Sequence, residues 1–440
     1  MHESFDIVIV GAGPAGLAAA SAAAGQGRSV ALIDSQAKAG GQVWRNDITH
    51  GYPAMAERGI KDALSSPGVT WLPATQVIGV ENGQLLLQDA QRGYLLAFKK
   101  LVLTQGAREL LLPFPGWTLP GVVGAGGLQA LAKQGWSLNN RRVVIAGSGP
   151  LLFAAAHTAR RHGAVVLGIH EQAVATDVRR FATGLWRWPA KLAQASLLKA
   201  GLAGIPYRFG SVVTAAHGNI MTAGYVSDHL TAVDIEGPEG DERLECDVLA
   251  AGFGLVPDVS LARQLGCAMR AHTLHAQVDV DASQCTSQPG IFAAGEACGI
   301  GGRDCARIEG RIAGLAAAGA VIPPALLRKR DHARAFATHL HKHFALGPRV
   351  RGLAKDDTLV CRCEDVALGA IRRHADARSA RLATRCGMGA CQGRICGAAL
   401  TELGHGARND ARPPLFPARL STLGEPDFPS VLPAPRGTHA

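Results

Sequence analysis

The chain has 440 residues, 47% of them hydrophobic and 18% charged, with a formal net charge of +10. That hydrophobic share excludes a disordered chain, and the length allows two or three domains. Positive charge gathers only at RKRDHAR (328–334) and RVRG (349–352), and aromatic residues make up 5%; this is not the stacking-rich basic surface of a nucleic-acid binder, and a basic face toward an acidic partner subunit is expected instead.

The N-terminus, MHESFDIVIVGAG, enters an apolar strand with no basic, apolar leader before it, so a cytoplasmic, reducing setting is expected. From Phe5 to Asp34 the chain has the organisation of a dinucleotide-binding βαβ unit: a strand, then Gly11-Ala12-Gly13-Pro14-Ala15-Gly16, an alanine-rich helix, and a second strand ending at Asp34 and Ser35. Gly11 permits the tight turn, Gly13 lets backbone approach a pyrophosphate, and Gly16 lets helix and strand pack closely. Asp34 is placed to accept hydrogen bonds from an adenosine ribose.

Farther on, LVLTQGARE (101–109), with Gly106, and IFAAGEACGIGG (291–302), with Gly295 and Glu296, each read as a short strand ending in a small-residue turn. Such turns present ligands at the carboxyl edge of a doubly wound sheet. The uncharged run from Leu110 to Ala132 is broken by Pro113, Pro115 and Pro120, which argues against a membrane-spanning helix. A second βαβ unit starts at Arg141, with Gly147 and Gly149 after its first strand and Glu171 closing its second. Leu152 stands where the third glycine belongs, so nucleotide binding here and a vestigial scaffold are both open readings. GLWRWPAKL (184–192) offers Trp186 and Trp188 as a partner anchor or as a lid on their own domain. His339 and His343 lie one helical turn apart; a solvated helix face is the expectation, with metal binding the alternative.

Five of the ten cysteines lie between residues 361 and 396. Cys361-x-Cys363 precedes an expected helix from Asp365 to His374, and Cys386, Cys391 and Cys396 follow among Gly387, Gly389 and Gly393. Four thiolates on short glycine-bearing loops suit an iron–sulfur cluster. Structural zinc and idle buried thiols are the competing readings. After Arg412 the chain is proline-rich and aperiodic, and is expected to be an extended tail.

The glycine motifs together resemble the two-dinucleotide-domain flavoproteins, a group that includes glutathione and thioredoxin reductases. That resemblance implies an α/β fold with two nested Rossmann-like domains: an FAD domain at 1–115 and 245–325, and an NAD(P)-type domain, open to being vestigial, at 116–244. It would gather GAGPAG, AGGQ (39–42, with Gly41 and Gln42) and AAGEACGIGG around one FAD. Gln42 and Glu296 would lie nearer the flavin, while Gly147, Gly149 and Glu171 would face a pyridine nucleotide. Residues 1–245 contain no cysteine, which sets the chain apart from the thiol–disulfide members. The cysteine segment is similar to bacterioferritin-associated ferredoxin, implying a small α-rich [2Fe–2S] domain at 357–405, after a linker at 326–356 and before the tail at 406–440. Its implied ligands are Cys361, Cys363, Cys391 and Cys396, an exchange with Cys386 staying open. FAD motifs, PGWTLPGVVGAGG (115–127) and CRCED with GMGACQGRICG together resemble the larger subunit of heteromeric flavoprotein dehydrogenases: hydrogen cyanide synthase, opine oxidases, hydroxyproline dehydrogenases and the α subunit of sarcosine oxidase. A catalytic, FAD-containing subunit of the amino-acid-oxidase type is the implied partner, further possibilities being an FMN at the subunit interface and a small ferredoxin-like subunit. Any contact with the inner membrane would come through the electron acceptor.

Overall fold

A computed structural model describes residues 5–218, 229–406 and 413–424. The chain divides into two compact units, one made of Met1–Arg108, Pro257–Ala337 and Asn409–Ala440, the other of Glu109–Val256 and Thr338–Arg408.

In the first unit, Phe5–Val10 is the centre of a parallel sheet with strand order Ile291–Ala293, Phe98–Leu103, Phe5–Val10, Val30–Ile33, Val69–Leu72. Ile7, Val8 and Ile9 are fully buried, because one face of the sheet packs on helices, with Ile7 and Ile9 against Leu17 and Ala313, and the other on antiparallel strands, with Val8 in one core with Leu85 and Leu87, which leaves no solvent side for alternation. The helices Pro14–Ala24 and Gly302–Ala317 pack backbone to backbone. A Cβ on Gly310 would collide with the Ala15 carbonyl, and one on Gly314 with that of Ala19. An antiparallel sheet of Gln76–Glu81, Gln84–Gln88 and Gly93–Leu96 completes the unit. Part of the proline-rich tail forms the helix Leu420–Gly424 instead of an extended chain, and the stretch before it packs on the rest of the first unit: Leu415 is buried, its amide donates to the Ile78 carbonyl at 2.6 Å, and Arg419 bonds the carbonyls of Asp89 and Ala90. Leu415 and Phe416 supply the apolar area that the aperiodic sequence concealed.

The second unit repeats the plan, its parallel sheet ordered Tyr207–Phe209, Val165–Glu171, Arg142–Gly147, Val248–Gly252, Val122–Gly124. The antiparallel strands Val212–Gly218, Leu230–Glu236 and Glu242–Glu245 flank it. The cysteine segment belongs to this unit, with Val350 and Ala399 sharing a core with Trp117, Val144 and Leu249. Trp117 Nε1 donates to the Leu359 carbonyl at 2.6 Å, and the Arg362 guanidinium lies over the same ring. The stretch expected as a linker instead contains the 20-residue helix Pro324–His343. In place of one helix from Asp365 to His374, the chain forms the short strand Val366–Ala367 and then the helices Leu368–Arg372 and Ala377–Thr384.

Candidate functional sites

Around the first glycine turn, each glycine has a distinct steric reason. Gly11 has φ +107°, and a Cβ there would meet the Thr104 carbonyl; one on Gly16 would collide with the carbonyl of Gly11. Gly13 differs, since the nearest atom to its Cβ position is Gly41 Cα at 4.0 Å. The space over Gly13 is therefore free for a ligand. Gly40 donates to the Ala12 carbonyl at 2.8 Å, laying the 39–42 loop beside the turn. Asp34 accepts the amides of Ala12 at 2.7 Å and Gln36 at 2.8 Å. Burial nonetheless raises its pKa, those two amides and Arg45 opposing. Ser35 and Gln42 are exposed, and Gln42 accepts from Arg45 Nη2 at 2.6 Å. Two buried polar atoms beside these loops, Arg45 Nε and Gln105 Oε1, have no partner among the described residues. Gly106, at φ +77°, leaves open space where a Cβ would stand.

At the end of Ile291–Ala293, Gly295 opens a short 3-10 turn and donates to Glu309 at 3.0 Å. Glu296 on that turn is raised by burial, opposed by a hydrogen bond from the Gly302 amide. Pro14 and Ala15 are buried in the first turn of the helix facing it. A cradle open at Gly13 and Gly106, with unpaired buried donor and acceptor atoms, suits a polar, phosphate-bearing cofactor.

The second glycine turn is arranged otherwise. Gly147, at φ +141°, meets the Gly252 carbonyl as closely as Gly11 meets Thr104. However, Glu171 is fully buried, with its carboxylate taken by the amides of Gly149 at 2.7 Å and Ala173 at 2.9 Å. Burial pushes its pKa up to about 7 against those bonds. The segment after the long helix lies over the turn: Ser148 donates to the Phe344 carbonyl at 2.8 Å, and Phe344 Cβ stands 3.6 Å from the Cβ position of Gly149. Gln172 bonds both Ala345 and Gly347. The place where a pyrophosphate would meet the backbone is filled by the chain itself.

In the cysteine segment, the sulfurs of Cys361, Cys386 and Cys396 lie within 4.8 Å of one another, all buried. Cys396 is held protonated first by its hydrogen bond to Cys386 and then by burial. Cys363 is exposed and Cys391 half-buried, and their thiols hydrogen-bond each other. Gly389 brings the two loops together, since a Cβ there would strike Cys363. Three thiols thus converge with a hydrogen-bonded pair of thiols beside them, and together they offer the four donors a cluster needs. The inner group joins Cys386 to Cys361 and Cys396, while the other two expected ligands, Cys363 and Cys391, form a separate outer pair.

The model of the pyridine nucleotide-disulphide oxidoreductase family matches residues 5–319. The chain belongs to this family. Hydrogen cyanide synthase subunit HcnB of Pseudomonas aeruginosa is 33% identical over 425 residues, taking in 88% of this chain and 90% of that one. An opine oxidase subunit of Rhizobium meliloti is 32% identical, over 96% of this chain and 98% of its own. Among solved structures, L-proline dehydrogenase from P. horikoshii shares the fold, with a TM-score of 0.64 at 20% identity over 96% of this chain and 79% of that one. The chain is accordingly an oxidoreductase with the α/β fold of FAD-dependent members of the family, and no helix among its described residues is long and apolar enough to cross a membrane.

Several residues that organise this family member were not singled out in the sequence. Glu309, 3% exposed, holds Gly295 and pairs with Arg334 at 2.7 Å, and Arg334 also reaches the buried Gln284. An acid in mid-helix carries no signal of the loop it supports. Phe344 lay in a stretch read as linker. His339 is half-buried instead of lying on an open helix face: its ring stacks on Phe181 and Trp188 with centroids 5.2 and 5.4 Å away, and the His343 ring lies edge-on to it at 4.8 Å. The two tryptophans divide the two readings between them, Trp188 buried at 5% and Trp186 exposed at 75%.

Proposed function

We propose that this chain is the electron-transferring subunit of a heteromeric flavoprotein dehydrogenase whose partner oxidises an amino acid, opine or other secondary amine to an imine. Gly11, Gly13, Pro14, Ala15, Gly16 and Asp34 would hold the adenosine end of FAD, with Ser35, Gly41, Gln42, Gly106, Gly295 and Glu296 along the rest. Four of the five clustered thiols would hold a [2Fe–2S] cluster. Flavin takes up electrons in pairs and a cluster passes them singly. The chain's own residues would bind and shield: the Gly13 cradle would admit the pyrophosphate, the amide-bonded Asp34 would face the ribose, and the buried Cys361 and Cys396 would keep water from the metal.

The observation that carries this reading is the three-thiol group of Cys361, Cys386 and Cys396 beside the bonded pair Cys363 and Cys391, within a member of a flavin-type oxidoreductase family. The relatives named as subunits of hydrogen cyanide synthase and opine oxidase support a place in a heteromeric complex, and the proposal includes a partner of the amino-acid-oxidase type, an FMN at the interface and a small ferredoxin-like subunit. Phe344 over Gly149 speaks for a vestigial second nucleotide site and against a self-contained NAD(P)H-dependent reductase.

Anaerobic purification with the neighbouring gene products tests it. Heat-released FAD, iron matched by acid-labile sulfide, and flavin reduction by an amine among proline, hydroxyproline, opines, glycine and sarcosine are expected. Zinc in place of iron, or rapid bleaching of the isolated chain by NADH, would overturn it.

A further inference from the structure

This inference rests on the iron–sulfur reading above. A [2Fe–2S] cluster is completed by four thiolates, and the segment holds five cysteines. With Cys361, Cys363, Cys391 and Cys396 as ligands, Cys386 is left over, yet it stands beside two of them. Its sulfur is within 4.8 Å of those of both Cys361 and Cys396, and the residue is 5% exposed.

Local structure delivers it there. Asp376 caps the helix Ala377–Thr384 by accepting the amides of Arg378 and Ser379, and Arg385 ends the helix in the left-handed region at φ 62°. The chain then turns inward, with the Cys386 amide donating to Thr384 Oγ1 at 3.2 Å. Gly387 follows at φ +76°, its Cβ position 3.8 Å from the Cys396 sulfur. Arg385, a non-glycine residue in the left-handed region, carries a conformational cost, and the turn it makes sets the Cys386 thiol beside those of Cys361 and Cys396. Solvent reaches the outer pair, Cys363 and Cys391, far more readily than the inner three.

We propose that Cys386 is a reserve ligand, which takes an iron position when Cys363 or Cys391 is lost from it. The outer Fe–S bond would break and its released thiolate take a proton from solvent, while the Cys386 thiol would give its proton to solvent and its thiolate form the new Fe–S bond. No electron changes hands, and Cys361 and Cys396 stay bound.

The test uses the full chain, purified anaerobically as wild type, C386S, C391S and C386S/C391S. Iron, acid-labile sulfide, flavin content and the EPR spectrum of the reduced protein are read for each. The wild type and C386S should hold about two irons per chain with the same EPR signal. C391S should keep its iron with a shifted signal, and the double variant should lose iron while keeping flavin. Loss of iron from C386S would make Cys386 an ordinary ligand and overturn the proposal. Loss from flavin-loaded C391S, or retention in the double variant, would overturn it equally. A wild type without iron and sulfide would refute the iron–sulfur reading itself, an outcome distinct from the other three.

Discussion

Gly13 and Gly16 are two residues of one motif with separable jobs. Gly16 touches the Gly11 carbonyl and has no room to give, whereas the backbone at Gly13 is in an ordinary conformation, with φ −75° and open space above it. Gly16→Ala should therefore lower stability by about 1–3 kcal/mol, the usual cost of overpacking. Gly13→Ala should leave the melting temperature of flavin-stripped protein unchanged and reduce flavin retention. Thermal unfolding of stripped protein, with flavin released by heat from loaded protein, separates the two effects. The tryptophans make a second pair. Trp188→Ala empties a buried site stacked on His339 and should cost about 3–5 kcal/mol. Trp186→Ala, at an exposed position, should change stability by less than about 0.5 kcal/mol in denaturant titration.

At the scale of elements, the strand Val165–Glu171 ends in two buried titratable groups that act in opposite senses. Burial pushes His170 down to about 4 and Glu171 up to about 7. Between the unfolded carboxylate value near 4.5 and 7, folded Glu171 binds more protons than unfolded Glu171, so its contribution to stability falls as pH rises through that window. His170, with a lowered folded value, makes stability rise between about 4 and 6.5. The two slopes offset each other in the overlap. Glu171→Gln should remove only the falling one, so the stability of wild type relative to E171Q should decline from pH 4.5 to 7 by on the order of 3 kcal/mol. Urea titrations of both proteins across that range check it, and a pH-independent difference would contradict the buried carboxylate. The βαβ units were legible in sequence because strand hydrophobicity, glycine sterics and a terminal acid are local requirements. Phe344 lying over Gly149 was not, since its position depends on where a helix far downstream delivers the chain.

At the scale of the molecule, the cysteine segment is built into the second unit rather than appended to it. Ala399 and Val350 complete the apolar core that also contains Leu249 and Val144, and Trp117 grips the Leu359 carbonyl. A chain cut back to residue 337 should expose that core and be recovered in inclusion bodies, while the full chain is recovered in the supernatant. Equal recovery would show that the segment is detachable.

The sequence by itself determined the doubly wound architecture, the first glycine cradle and the presence of a thiol-rich segment, because each is announced by a local pattern: apolar strand runs, glycine spacing with a terminal acid, and clustered cysteines. Only the tertiary structure decided that the second glycine turn is covered, that Glu309 and Arg334 support the Gly295 turn, and that Cys386 joins Cys361 and Cys396. These depend on long-range packing, where many residues can fill the same volume, and no spacing rule records which one does.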